Sequence, residues 1–266
     1  MSSLATAAAL PPGTLARHQR RAIVVGLAGV ALLAWLELGR MAWSMHDAMQ
    51  AGAACELHPW SATDAALTFV MWAVMMVGMM LPSALPMSLL FASVTRKAAA
   101  RGSAVVPAFV FASGYVAAWT LFSGGATALQ WQLERAALLS PMLASASPLF
   151  GGALLALAGL YQLSPWKNAC LDHCRAPAGF FASHWRPGRW GALRMGFSHG
   201  LYCLGCCALL MGLLFFGGVM NLLWVAGLTA FVLVEKLAPH GASVARVSGI
   251  GLLVAAVAQL SAASAA

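Results

Sequence analysis

Seven apolar runs govern what this chain can fold into. They cover about residues 23–38, 64–91, 105–129, 149–163, 195–216, 221–236 and 244–260, with short polar or proline-containing breaks between them. A backbone placed in lipid finds no water, so each run must satisfy its own N–H and C=O groups, which requires helices rather than open sheet. The expected fold class is therefore all-α, a polytopic transmembrane helix bundle of about seven spans. Only 8% of the residues are charged, against about 25% in a soluble domain. The length suits one domain. Residues 1–21 read as a disordered basic N-terminal tail ending in Arg17-His18-Gln19-Arg20-Arg21, and residues 22–262 as a single transmembrane helical domain.

The formal net charge of +8 is first a topology signal. With the N-terminus cytoplasmic, Arg17, Arg20, Arg21, Arg96, Lys97, Arg101, Lys167, Arg175, Arg186, Arg189, Arg194, Lys236 and Arg246 fall inside, and only Arg40 and Arg135 outside. That asymmetry fits the seven-span count and the orientation. A basic surface of this kind meets anionic headgroups, so the lipid bilayer is the expected partner, and nothing points to nucleic acid. Residues 41–63 read as an outer loop, with Thr63-Asp64 capping the second span. Ala51-Gly52-Ala53 has the small residues of a processing site, but Glu37, Arg40 and a long gap separate it from the apolar run, which favours a retained signal anchor.

Chemistry concentrates in the fifth run, Met195 to Met211, MGFSHGLYCLGCCALLM. At about 100° per residue, His199 and Cys207 flank Cys203 by about 40° on either side, and Cys206 lies about 60° away. His199, Cys203, Cys206 and Cys207 thus share roughly a 100° arc over about two turns. Thiolate and imidazole are ligands for soft or borderline ions, with Cu(I) and Zn(II) foremost. One cysteine in such a helix is ordinary buried filler; three on one arc with a histidine predict a metal site.

The second run adds Met75, Met76, Met79 and Met80 in MWAVMMVGMMLPS, two i, i+4 pairs covering about 140° of helix. Thioethers prefer Cu(I) to hard ions, although methionine alone also serves as adaptable core filler. Pro82 and Pro86 should kink this helix and free carbonyls. Cys170 and Cys174 follow the fourth run, beside Lys167 and Arg175, and are expected at a cytoplasmic mouth. On the outer side, Met45, His46 and Met49, with Met41, form a candidate capture point, and Cys55-x-x-His58 has ligand spacing without a second pair. Glu235 suits either a hydrogen-bond partner of a ligating histidine or, with Lys236, a membrane-boundary marker. Gly196, Gly200 and Gly205 suit close helix packing. No Walker loop, dinucleotide fingerprint or serine elbow is present, so an enzyme is not expected.

The segments YQLSPWKNACLDHCR, HWRPGRWGALRMGFSHGLYCLGCCALLM, GVMNLLW, EKLAPHG and MWAVMMVGMMLPSALP together resemble the predicted metal-binding integral membrane protein family, a bacterial family long carried as a domain of unknown function. The resemblance spans about residues 20–260. It implies a multi-pass protein of the bacterial inner (plasma) membrane with a bound metal, and copper supply to copper enzymes. The M-x-x-x-M spacing is also similar to that of eukaryotic copper transporters, which have three spans per subunit, so the likeness is one of convergent chemistry. Residues and resemblance together predict a protein that binds Cu(I), with zinc as the second metal, and transports it or delivers it to a copper enzyme or copper chaperone. The alternative is a membrane thiol-disulfide oxidoreductase relaying electrons through Cys203/Cys206 and Cys170/Cys174.

Overall fold

The computed structural model describes residues 17–50 and 60–265. Eleven α-helices form the described part: α1 (Arg17–Gln50), α2 (Ala62–Met80), α3 (Leu85–Ala99), α4 (Ala108–Arg135), α5 (Pro148–Gln162), α6 (Pro165–Arg175), α7 (Pro177–His184), α8 (Gly188–Gly212), α9 (Leu214–Gly217), α10 (Leu222–Leu237) and α11 (Gly241–Ala265). A 3₁₀ turn, Leu81–Ala84, joins α2 to α3. Among the described residues there is no strand beyond an isolated bridge between Leu139 and Ser145. The all-α expectation therefore holds.

Five helical stretches are long and apolar enough to cross a membrane: Arg17–Ala48, Ala62–Ala99, Ala108–Arg135, Gly188–Gly217 and Gly241–Ser264. A sixth arises if α5 and α6, bent by 64°, count as one broken span. The remaining expected span is α10. Its 16 residues extend roughly 24 Å at about 1.5 Å per residue, short of a hydrocarbon core of about 30 Å. The described residues thus hold five to six helical stretches apolar enough to cross a membrane, as in a helical membrane protein.

Several boundaries differ from the sequence expectation. Arg17 to Arg21, assigned to the tail, form the first turns of α1, and residues 41–50, assigned to a loop, continue the same helix. No proline interrupts residues 17–50, so nothing stops the helix at Arg40. Residues 1–16, the candidate processing site 51–53, and Cys55 and His58 lie outside the described residues. The cap of α2 is Ser61 rather than Thr63: its hydroxyl accepts from Asp64 N at 3.2 Å, while Asp64 Oδ2 accepts from Ser61 N at 2.8 Å. This is a reciprocal capping box, which the S-x-x-D spacing permits.

The prolines act as their chemistry requires. Pro82 has no N–H to give to Gly78 O, and Trp35 Nε1 on α1 takes that carbonyl at 3.2 Å. Helices α4 and α8 approach closely because glycines line their seam: a Cβ on Gly196 would overlap the Phe111 carbonyl, and one on Gly114 the Leu193 carbonyl. This small-residue contact is the expected membrane packing device. It brings Tyr115 of α4 alongside the cysteine-bearing face of α8.

Gly196→Ala is expected to destabilise the protein by roughly 1–3 kcal/mol through overpacking. Gly26→Ala, in α1 with open space where its Cβ would go, should be neutral or stabilising by up to about 1 kcal/mol. Thermal unfolding of the detergent-solubilised variants checks both. Equal melting temperatures would refute the close-approach account.

Candidate functional site

Helix α8 turns its cysteines inward. Cys203, Cys206 and Cys207 are buried in one core cluster with Met75, Met76, Met79 and Met80 of α2, and Cys170 and Cys174 of α6 pack against that cluster. The methionines of α2, the cysteines of α6, which follows the fourth run, and the cysteines of α8 thus meet in one core. Cys206 Sγ lies 3.2 Å from Cys207 Sγ and 3.9 Å from Cys174 Sγ, and donates to Cys203 O at 3.2 Å. All five of these cysteines are free thiols.

The 64° bend at Leu163-Ser164 makes this possible. Ser164 caps α6 by accepting from Lys167 N at 3.2 Å, and Pro165 follows at the first helical position. The bent α6 lies against α8, where Gly205 leaves the space that the Cys170 side chain fills. Tyr161 donates to the Gly205 carbonyl from the end of α5.

The structure adds three groups that the sequence did not single out. Lys236 Nζ of α10 donates to Cys203 Sγ at 2.7 Å and to Ser83 Oγ at 3.3 Å. Tyr115 OH lies 2.9 Å from the same sulfur and 3.3 Å from Ser83 Oγ, and donates to Met80 O at 3.1 Å. Cys203 is therefore met by an ammonium and a phenol inside the helix bundle. The usable signal was Lys236 itself, because a charged residue in an apolar segment marks a site more often than it marks nothing. Tyr115 and Ser83 gave no signal, since neither residue type nor spacing says which helix they face.

Glu235 and Lys236 do not face solvent, because both are buried. Nor does Glu235 support a histidine. Its carboxylate pairs with Lys167 Nζ of α6 at 2.5 Å, with both side chains almost fully enclosed. Arg175, at the end of α6, donates to Ala238 O at 2.5 Å and Pro239 O at 2.7 Å, and so caps the C-terminus of α10. Helix α6, which carries Cys170 and Cys174, is latched to α10 at both ends.

His199 lies on α8 one turn before Cys203. It is buried, but its ring lies among Phe111, Tyr115 and Phe180 at centroid distances of 6.1, 5.6 and 5.6 Å, and Nδ1 has no hydrogen-bond partner. Met45 and His46 sit in the last turns of α1, half-buried and exposed respectively, with His46 Nε2 2.8 Å from Gln50 Nε2. Met49 follows one turn after Met45 on the same helix. Among the described residues, no three His, Cys, Asp or Glu side chains are arranged to hold a metal ion. What is present is pairwise. At a metal–sulfur bond of about 2.3 Å, two sulfurs on one ion lie roughly 3.8 Å apart at a tetrahedral angle and about 4.6 Å apart when opposed. The Cys174–Cys206 separation falls in that range, and the Cys206–Cys207 separation falls below it.

Residues 69–259, more than half of the chain, match the model of a family described as copper chaperone. No curated protein and no solved structure matches the chain.

Lys167→Met is expected to destabilise the protein by roughly 3–5 kcal/mol, because it strands a buried carboxylate. The double variant Lys167→Met/Glu235→Met should recover most of that loss. Thermal melts of the single and double variants in one detergent test the pair; a double variant no better than the single would contradict it.

Proposed function

The chain belongs to the copper chaperone family PpoB2, and from that premise we propose that it binds Cu(I) inside the membrane on thiol and thioether groups and delivers it to a copper enzyme. The observation that carries this reading is the convergence of five free thiols and six buried methionines, Met75, Met76, Met79 and Met80 among them, on one core cluster. Soft donors of this kind select Cu(I). A structural zinc site wants four ligands in a closed tetrahedron. Two-sulfur pairs suit Cu(I), which accepts two or three donors, and copper is therefore preferred to zinc.

In this reading Cys203, Cys206 and Cys207 are the principal ligands, with Cys174 within bridging distance of Cys206. Cys170 and Cys174 guard the cytoplasmic mouth. Met75, Met76, Met79 and Met80 extend the path away from it, and Met45, His46 and Met49 form the outer capture point. His199, with an unpaired ring nitrogen one turn before Cys203, is a reserve donor that reaches the thiols after a change of rotamer. The N-terminus is cytoplasmic, and the membrane is the bacterial inner membrane.

Purified protein in detergent, kept reduced and loaded with Cu(I), is expected to retain copper by elemental analysis. The Cys203→Ser/Cys206→Ser/Cys207→Ser variant should lose it. Met75→Leu/Met79→Leu should weaken retention by roughly tenfold, the scale of an outer-shell change. A thiol-disulfide relay predicts the opposite for the methionines: their replacement changes nothing, and Cys203→Ser alone abolishes thiol exchange. No copper on the loaded parent protein would overturn the proposal.

A further inference from the structure

We propose that the groove between α1 and the α3–α4 corner holds one anionic phospholipid, with an acyl chain along the groove and its phosphate at Arg96. The groove has a volume of about 540 Å³, within the roughly 300–1,000 Å³ of small-molecule sites. Ile23, Leu27 and Val30 of α1 form one wall, and Ala92 of α3 with Val106 and Phe109 forms the other. Gly26 opens the space between them, because a Cβ there would meet nothing within 4 Å. Polar side chains are confined to one end. Arg96, near the end of α3, donates to the Gln19 side-chain oxygen of α1. Thr95 Oγ1 accepts from Val106 N at 3.2 Å, which draws the α3–α4 loop over the same end.

Length and charge select the occupant. From Gln19 to Val30 the α1 wall runs roughly 17 Å at about 1.5 Å per residue. That is close to half of a hydrocarbon core of about 30 Å, the reach of an acyl chain in one leaflet. The residues lining the groove include no Asp or Glu, and the chain around its polar end adds Arg20, Arg21, Lys97 and Arg101. Arg96 meets the neutral Gln19 amide rather than a carboxylate. A guanidinium presents forked donors that match a phosphate, and basic residues at the mouth of an apolar slot favour an anionic headgroup over a zwitterionic one. A second copy of this chain carries a net charge of +8, which disfavours it as the partner of a basic mouth. Ala92 and Val106 belong to the core cluster around Phe91 and Phe111, not to that of the thiols. The proposal therefore rests on the membrane reading of these helices and not on copper.

The test is native mass spectrometry of the full-length protein in detergent, incubated with phosphatidylglycerol or with phosphatidylethanolamine of the same acyl chains. The parent should retain phosphatidylglycerol over phosphatidylethanolamine by roughly fivefold, the effect of one basic residue beside an anionic membrane surface. Arg96→Lys should keep most of that preference, and Arg96→Gln should lose it. Gly26→Phe, which fills the groove, should shed both lipids; if it does not fold, Gly26→Leu carries that arm. Equal retention of the two lipids by the parent, a preference unchanged in Arg96→Gln, or retention unchanged in the groove-filling variant overturns the proposal. A parent dimer that Gly26→Phe separates assigns the groove to a second copy and also overturns it. Lipid retained only after residues 2–15 are removed assigns the groove to that segment, with the same consequence.

Discussion

A charge removed from water must find another charge or a set of hydrogen bonds, and the packing at one end of this helix bundle follows from that requirement. Lys167 of α6 and Glu235 of α10 balance each other's charge in an enclosed pair. Arg175, two turns further along α6, satisfies the carbonyls at the end of α10. Together these contacts hold α6 in its bent position, and the bent α6 carries Cys170 and Cys174 to the face of α8. The position of two thiols thus depends on an ion pair that contains neither of them.

The other wall of the site depends on absent atoms. Glycines at 114, 196 and 200 let α4 and α8 approach closely, so that Tyr115 reaches Cys203. Pro82 breaks the hydrogen-bond ladder of α2, and the 3₁₀ turn that follows places Ser83 beside Tyr115 and Lys236. A straight helix would carry Ser83 elsewhere. Ser83 enters the core where the backbone pattern changes, as membrane helices allow when neighbouring groups satisfy the freed positions.

The soft donors and the family membership point the same way, on independent grounds. The matched region, residues 69–259, begins within α2 and ends within α11, so it includes the methionine helix, both cysteine helices and Lys236. On the proposed reading, copper chemistry gives methionines and cysteines a reason to share one core cluster, where packing alone would be served by leucine. The pairwise arrangement of sulfurs suits a cargo that must be released as well as held.

The sequence alone determined the helical class, the apolar segments, the face shared by Cys203, Cys206 and Cys207, and the turn-to-turn stacking of the methionines. These follow from local periodicity and from the demand that a backbone in lipid satisfy itself. Even the glycine contacts of α8 were legible, because small residues at a four-residue spacing have few other uses. The aromatic surroundings of His199 were not legible, because sharing a helix face does not determine which rings pack around a side chain. Nor were the bend of α6, the pairing of Glu235 with Lys167, and the arrival of Lys236, Ser83 and Tyr115 at Cys203. Those contacts join residues from 33 to 153 positions apart. Only the packed helices decide them, because the energy of a buried charge depends on which partner the fold brings within a few ångströms.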